Sequence, residues 1–220
     1  MVVKSVVLPF MSIWFRWTVE GLENIPRRGP AILACNHVSY LDPLALGFVV
    51  LKAGRRPRFL AKAELFRDRR LGWLLRRTNQ IEVRRGTAMA SSALEAALEA
   101  LAAGEIVVLF PEGTVTTDPE LNPMAAKSGA VRLAQASRAP LIPCAVWGTA
   151  NVWPKGNYAK RLRPRQPVLI RIGTPFDVQG NPASRDEVRA AAKQIMERIA
   201  ALVASLRPIV PDDRRLKASA

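Results

Sequence analysis

Histidine, cysteine and acidic residues are scarce in this 220-residue chain, and each scarcity closes off a kind of chemistry. A single histidine and two cysteines supply too few nitrogen and sulfur ligands for an ordinary zinc site. Cys35 and Cys144 lie more than a hundred residues apart within apolar stretches. That spacing is neither a disulfide framework nor a Cys-x-x-Cys pattern, and both read as buried core thiols. No uninterrupted apolar run of ~20 residues is present to span a bilayer. Residues 2–19 come nearest, but Lys4, Pro9 and Arg16 interrupt them, and the bulk of Phe15, Trp17 and Thr18 does not suit a signal-peptide cleavage site. Glycine and proline, at 13 and 17 residues, are far too few for a collagenous or low-complexity chain. A Gly-x-Ser-x-Gly elbow and a Gly-x-x-x-x-Gly-Lys loop are both missing, which removes a serine hydrolase of that type and a phosphate-cradling nucleotide site.

What is present is positive charge. Thirty-three Lys and Arg oppose 18 Asp and Glu, a formal net of +15, with a sequence pI near 11.1. Such an excess points to nucleic acid, anionic lipid or anionic metabolites. Aromatics make up only 6% of the chain, few for a protein that would bind by stacking on bases, and no recognisable nucleic-acid module is present. A non-enzymatic basic protein that binds nucleic acid or membrane is therefore the distant alternative. The charge is patterned: residues 52–85 carry a net of nine positive charges and residues 155–171 a further six, which together contain the whole excess. At 49% hydrophobic and 23% charged the chain is globular, and its length suits one domain with a real core.

Short apolar runs alternate with helical patterns. Ala31–Cys35, Arg58–Ala61, Ile81–Val83, Ile106–Phe110, Leu141–Val146 and Val168–Ile172 are the candidate strands. Pro43–Leu51, Leu65–Arg77, Thr87–Ala103 and Ala125–Ser137 are the candidate helices. In the third, Leu94, Ala97, Leu98 and Leu101 form one apolar stripe, and Gly104 follows as a stop. Ser184 with Glu187 at the capping-box position opens a last helix that runs to Leu206 before Pro208. This alternation predicts an α/β fold with a mostly parallel central sheet covered by helices on both faces. Residues 1–20 are expected to form an amino-terminal membrane-interface helix segment, with first-helix packing on the core as its alternative. Residues 21–206 would be the domain proper and residues 207–220 a basic tail. Trp73–Arg77 is either a membrane contact or a core-packed helix with a basic end.

Ligands in open α/β sheets gather at the carboxyl ends of strands. After Ala31–Cys35 come Asn36 and His37, with Asp42 five positions beyond the histidine. An imidazole suits general-base work near neutral pH, and a carboxylate on its other nitrogen fixes the tautomer. Asp42-Pro43 is equally an ordinary helix start, a cap followed by proline. After Ile106–Leu109 come Phe110, Pro111, Glu112, Gly113 and Thr114. The glycine permits positive φ or a close approach, and turn amides can bind an anion.

Taken together, Asn36-His37 with Asp42, the Phe110–Thr114 block, the proline-containing strand Leu141–Gly148 and the weaker Ile81–Gly86 block resemble the glycerolipid acyltransferase family that includes lysophosphatidic acid acyltransferase. The resemblance spans roughly residues 15–175. It implies a glycerol-3-phosphate acyltransferase-like fold and acyl transfer from an acyl thioester, on coenzyme A or acyl carrier protein, to the free hydroxyl of 1-acyl-sn-glycerol 3-phosphate, giving phosphatidic acid. His37 would be the base and Asp42 its support. Glu112, Gly113 and Thr114 would shape the acceptor pocket, and Arg85 would meet its phosphate. No metal or bound cofactor is implied. The implied partners are a lysophospholipid acceptor, an acyl thioester donor and an anionic membrane surface, with the protein peripheral or monotopic on the cytoplasmic face of the cell membrane. One departure stands out: much of the family has a basic residue after the Phe-Pro-Glu-Gly-Thr block, whereas Val115, Thr116 and Thr117 follow here. Arg85, Arg84 and Lys127 are the substitutes in view, and transfer to another lyso-lipid or a glycolipid hydroxyl is the alternative.

Overall fold

The structure is a computed structural model that describes residues 9, 11–83, 90–156 and 164–210. Seven strands form one sheet in the order β1-β7-β6-β2-β5-β3-β4. They are β1 (Phe15–Glu20), β2 (Ala31–Cys35), β3 (Pro57–Lys62), β4 (Ile81–Val83), β5 (Ile106–Leu109), β6 (Leu141–Trp147) and β7 (Gln166–Ile172). Five of them, β6, β2, β5, β3 and β4, run in one direction, and β7 meets β6 antiparallel. β1 pairs parallel to β7, so the outer pair on that side is reversed. The helices are α1 (Asp42–Lys52), α2 (Ala63–Arg67), α3 (Arg69–Arg77), α4 (Ala90–Ala102), α5 (Ser128–Ser137), the single turn α6 (Thr149–Val152) and α7 (Arg185–Leu206).

Central strands bury every residue: Ala31–Cys35, Ile106–Leu109 and Leu141–Trp147 show no exposed position. Strands so uniformly apolar need cover on both faces. α7 supplies part of it through Val188, Ala191, Ile195, Ile199, Val203 and Leu206, a stripe at steps of three and four. Cys35 and Cys144, remote in sequence, are register neighbours across β2 and β6; both are free and buried.

Several elements depart from the sequence-based expectations. The segment Phe15–Glu20 is a strand, not part of an interfacial helix. Its residues alternate apolar and polar, and the apolar ones turn inward: Phe15 is buried, and the Trp17 ring stacks on Phe48 of α1 at 4.3 Å. Period-two alternation outweighs the overall aromatic content here. The helix expected over 65–77 breaks in two, because Asp68 is extended and its Oδ1 accepts from the amides of Arg70 and Leu71, capping α3. α5 starts at Ser128 rather than Ala125, since the amides of Met124 and Lys127 bond Glu112 Oε2 and Pro111 O instead of building a first turn. At α7 only half the capping box forms. Ser184 accepts from the Glu187 amide, while Glu187 Oε2 takes the amide of Asn181. Of the expected tail, Val210 is buried and its carbonyl accepts from Trp147 Nε1; residues 211–220 lie outside the described set.

The order β6-β2-β5 decides where chemistry can collect. These neighbours run parallel, so their carboxyl-end loops leave the sheet side by side. The loop after β2 is flanked by the loop after β5 and by the one after β6.

Candidate active site

The loop after β2 begins by extending the strand ladder with a side chain. Asn36, fully buried, donates Nδ2 to Val146 O at 3.1 Å and accepts the Val146 amide on Oδ1 at 2.8 Å. An amide side chain has the donor and acceptor needed to imitate a peptide group, so β2 stays docked on β6 one residue past its last register pair. His37 follows from a fixed origin.

Asp42 opens α1, but its carboxylate is turned back on the loop that precedes it. Oδ2 accepts from the amides of Val38 at 2.7 Å and Ser39 at 2.8 Å and lies 2.9 Å from His37 Nδ1. Oδ1 accepts from Thr149 Oγ1 at 2.6 Å. A wholly buried carboxylate needs such company. The cap reading of Asp42 is not met: Leu41 holds the cap position, Asp42 is the first helical residue, and its carboxylate serves the histidine loop instead. Because the carboxylate only accepts, it sets the imidazole proton on Nδ1 and leaves the lone pair on Nε2.

The loop after β5 holds the histidine from the other side. The Phe110 ring stacks on the imidazole at 4.0 Å between centroids. Glu112 is 2% exposed, and each of its oxygens takes one backbone amide: Oε1 that of His37 at 2.9 Å and Oε2 that of Met124 at 2.9 Å. Thr116 completes the tie by donating its amide to His37 O at 2.7 Å. Burial pushes the Glu112 carboxyl above its ordinary 4.5, while its bonds to the Met124 and His37 amides pull the other way. Gly113 has the positive φ expected of it, 70°, but its amide closes the turn on Phe110 O at 2.9 Å, so it is not an open anion donor.

Four expected site residues thus converge here: His37, Asp42, Glu112 and Gly113. Thr114, half-buried, continues the same turn. Lys127 is exposed on the extended residue before α5 and bonds the loop only through its backbone. Arg84 and Arg85 lie outside the described residues. Two contributors were not visible in sequence. Thr149 reaches Asp42 from the turn after β6. Lys155 donates Nζ to Val115 O at 2.8 Å, in the run Val115–Thr117 that follows the Phe110–Thr114 block. A cleft of about 310 Å³ lies there, lined among others by Val38, Thr116, Thr117, Leu121 and Lys155. Among the described residues no group of three or more His, Cys, Asp or Glu is placed to hold a metal.

The family model described as acyltransferase matches residues 16–147. A 1-acyl-sn-glycerol-3-phosphate acyltransferase of Bacillus subtilis is 30% identical over 184 residues, covering 82% of this chain and 85% of that protein. The chloroplastic 1-acyl-sn-glycerol-3-phosphate acyltransferase LPAT1 of Arabidopsis thaliana is 29% identical over 153 residues; the match takes in 69% of this chain and spans 40% of the plant protein's length. The crystal structure of the 1-acyl-sn-glycerophosphate acyltransferase PlsC from Thermotoga maritima superposes with a TM-score of 0.69 at 28% identity, covering 90% of this chain and 78% of that one.

Proposed function

Because the chain belongs to the acyltransferase family, we propose that it transfers a fatty acyl group from an acyl thioester to the free hydroxyl of 1-acyl-sn-glycerol 3-phosphate, forming phosphatidic acid at a membrane surface. The observation that carries this reading is the His37–Asp42 pair, in which a buried, fully bonded carboxylate leaves Nε2 as the open face of an imidazole whose side chain is 13% exposed.

The chemistry follows from that geometry. Nε2 takes the proton of the acceptor hydroxyl as its oxygen attacks the thioester carbonyl. The C–O bond forms, the C–S bond breaks, and the departing thiolate takes the proton back from the imidazolium. Asp42 stabilises that cation without being protonated itself, while Phe110 and Glu112 fix the ring and its backbone. Glu112 acts by positioning, since both its oxygens are engaged. A thioester is activated enough for one base to suffice, and no covalent acyl-enzyme is needed. Lys155 brings a cation to the cleft beside the His37 loop, which supports a phosphate-bearing acceptor despite Val115, Thr116 and Thr117. Asp118 also borders this cleft; its carboxylate accepts from the Glu120 amide and Asn122 Nδ2.

No helix among the described residues is long and apolar enough to cross a membrane. A peripheral or monotopic seat on the anionic cytoplasmic face fits the basic segments and the lipid acceptor. In the decisive assay, purified protein given lysophosphatidic acid and acyl-coenzyme A or acyl carrier protein releases free thiol and yields phosphatidic acid by mass spectrometry. His37→Ala should abolish the release, and turnover retained in that variant would refute the mechanism. A panel of lyso-lipid and glycolipid acceptors tests the headgroup, with Lys155→Met expected to raise KM for phosphorylated acceptors selectively.

A further inference from the structure

α3 is a helix with almost no inside. Of its nine residues only Gly72 is buried; Leu74 and Leu75 are half-buried and the rest are exposed. Gly72 is where it touches the protein, since a Cβ there would stand 2.2 Å from Phe66 O of α2. Arg76 fastens the same junction by donating Nη1 to Phe66 O at 2.8 Å. The alternative of a core-packed helix with a basic end is therefore not what forms.

The outward face has a definite composition. Trp73 is 62% exposed, and its neighbours on the helix surface, three and four residues to either side, are Arg69, Arg70, Arg76 and Arg77. One indole is thus centred among four guanidiniums. Leu65 on α2 and Leu71 on α3 are exposed as well, at 42% and 39%. Two other basic residues of this segment are tied inward: Arg55 donates to the carbonyls of Pro26, Gly29 and Gly104, and Arg58 pairs with Glu105. The guanidiniums of Arg67, Arg69, Arg70 and Arg77 have no hydrogen-bond or ion-pair partner among the described residues. α2 leaves β3 at the same carboxyl end of the sheet from which the His37 loop leaves β2.

A large exposed indole costs free energy in water and is favoured at the headgroup level of a bilayer, where its apolar body is covered and its N–H stays wet. Unpartnered arginines around it match lipid phosphates. We propose that α3 is the element that docks this protein on an anionic lipid bilayer, Trp73 entering the interface while Arg69, Arg70 and Arg77 engage headgroup phosphates. This rests on the reading that the enzyme works at a membrane.

The test uses the full chain and vesicles of phosphatidylcholine with or without phosphatidylglycerol. Wild type should co-sediment with anionic vesicles and little with neutral ones. Trp73→Ala should weaken binding severalfold, and Arg69→Gln/Arg70→Gln/Arg77→Gln should weaken it about a hundredfold, each cation being worth roughly fivefold near such a surface. Lipids brominated near the headgroup should quench wild-type tryptophan emission more than that of Trp73→Phe. Both binding variants should keep wild-type turnover on a short-chain acceptor dispersed below its micelle concentration. Vesicle binding unchanged in the variants, or equal on neutral and anionic vesicles, overturns the proposal. So does turnover lost on the dispersed acceptor, which would make α3 a support of the active site. A loss limited to acyl carrier protein as donor assigns the helix to that acidic partner instead. Absence of acyl transfer by wild type on every acceptor refutes the enzymatic reading separately.

Discussion

Asp42 shows how much one carboxylate can organise. Four donors converge on it, two from the turn it closes, one from the histidine it orients and one from Thr149, 107 residues away. Asp42→Asn replaces one acceptor oxygen with an NH2 group, so a buried donor must face a donor. Turnover should fall on the order of 10³–10⁴-fold, as expected when the base loses its tautomer. Thr149→Val removes one bond and should cost about 1–3 kcal/mol in urea denaturation, with a milder loss of kcat. Glu112 carries a pH dependence. Its folded carboxyl holds a proton to higher pH than the unfolded one, so between those two values the native state binds more proton and stability falls as pH rises. In Glu112→Gln this decline should disappear from denaturation curves run across the window, on top of a general loss from the unmatched amide. His37, Asp42 and Glu112 were legible in sequence only through the combined motifs that resemble the acyltransferase family, and that resemblance gave Glu112 to the acceptor pocket, whereas both its oxygens hold backbone amides. Thr149 and Lys155 were not, because what recruits them is the adjacency of β6 to β2, a tertiary fact.

Among the elements, the turn after β6 tolerates little change. Gly148 has φ 87°, and a Cβ there would stand 2.4 Å from Pro167 O in β7. It is the pivot that swings Thr149 toward Asp42 while β7 passes close by. Gly148→Ala should therefore lower Tm by several degrees and reduce kcat as well, the two effects measured on the same preparation. Six of the seven strands were readable as apolar runs, and their boundaries in the structure agree within about two residues. β1 was missed because its aromatic residues drew attention to content rather than to period. The break at Asp68 was missed because a helical wheel has no term for a side chain that caps the next helix.

At the scale of the molecule the positive charge is of two kinds. Part of it is structural: Arg55 and Arg58 as described, and Arg171, which bonds Glu20 and Ser205. Another part, the side chains of Arg69, Arg70 and Arg77 on α3 among it, faces solvent. Attraction by exposed charges is screened over ~10 Å at 0.1 M salt and ~3 Å at 1 M. Affinity for anionic vesicles should thus drop at least tenfold between 0.05 and 0.5 M salt, measured by co-sedimentation, and His37→Ala should follow the same curve as wild type. The sheet's outer pair bears on a different matter, the order of synthesis. β1 and β7 pair residues 151 positions apart, so β1 leaves the ribosome long before the strand it pairs with. At roughly 5–20 residues per second that interval lasts on the order of ten seconds or more. For that time Phe15, Trp17 and Val19 have no strand to lie against, which leaves the nascent segment open to chaperones or to a nearby bilayer.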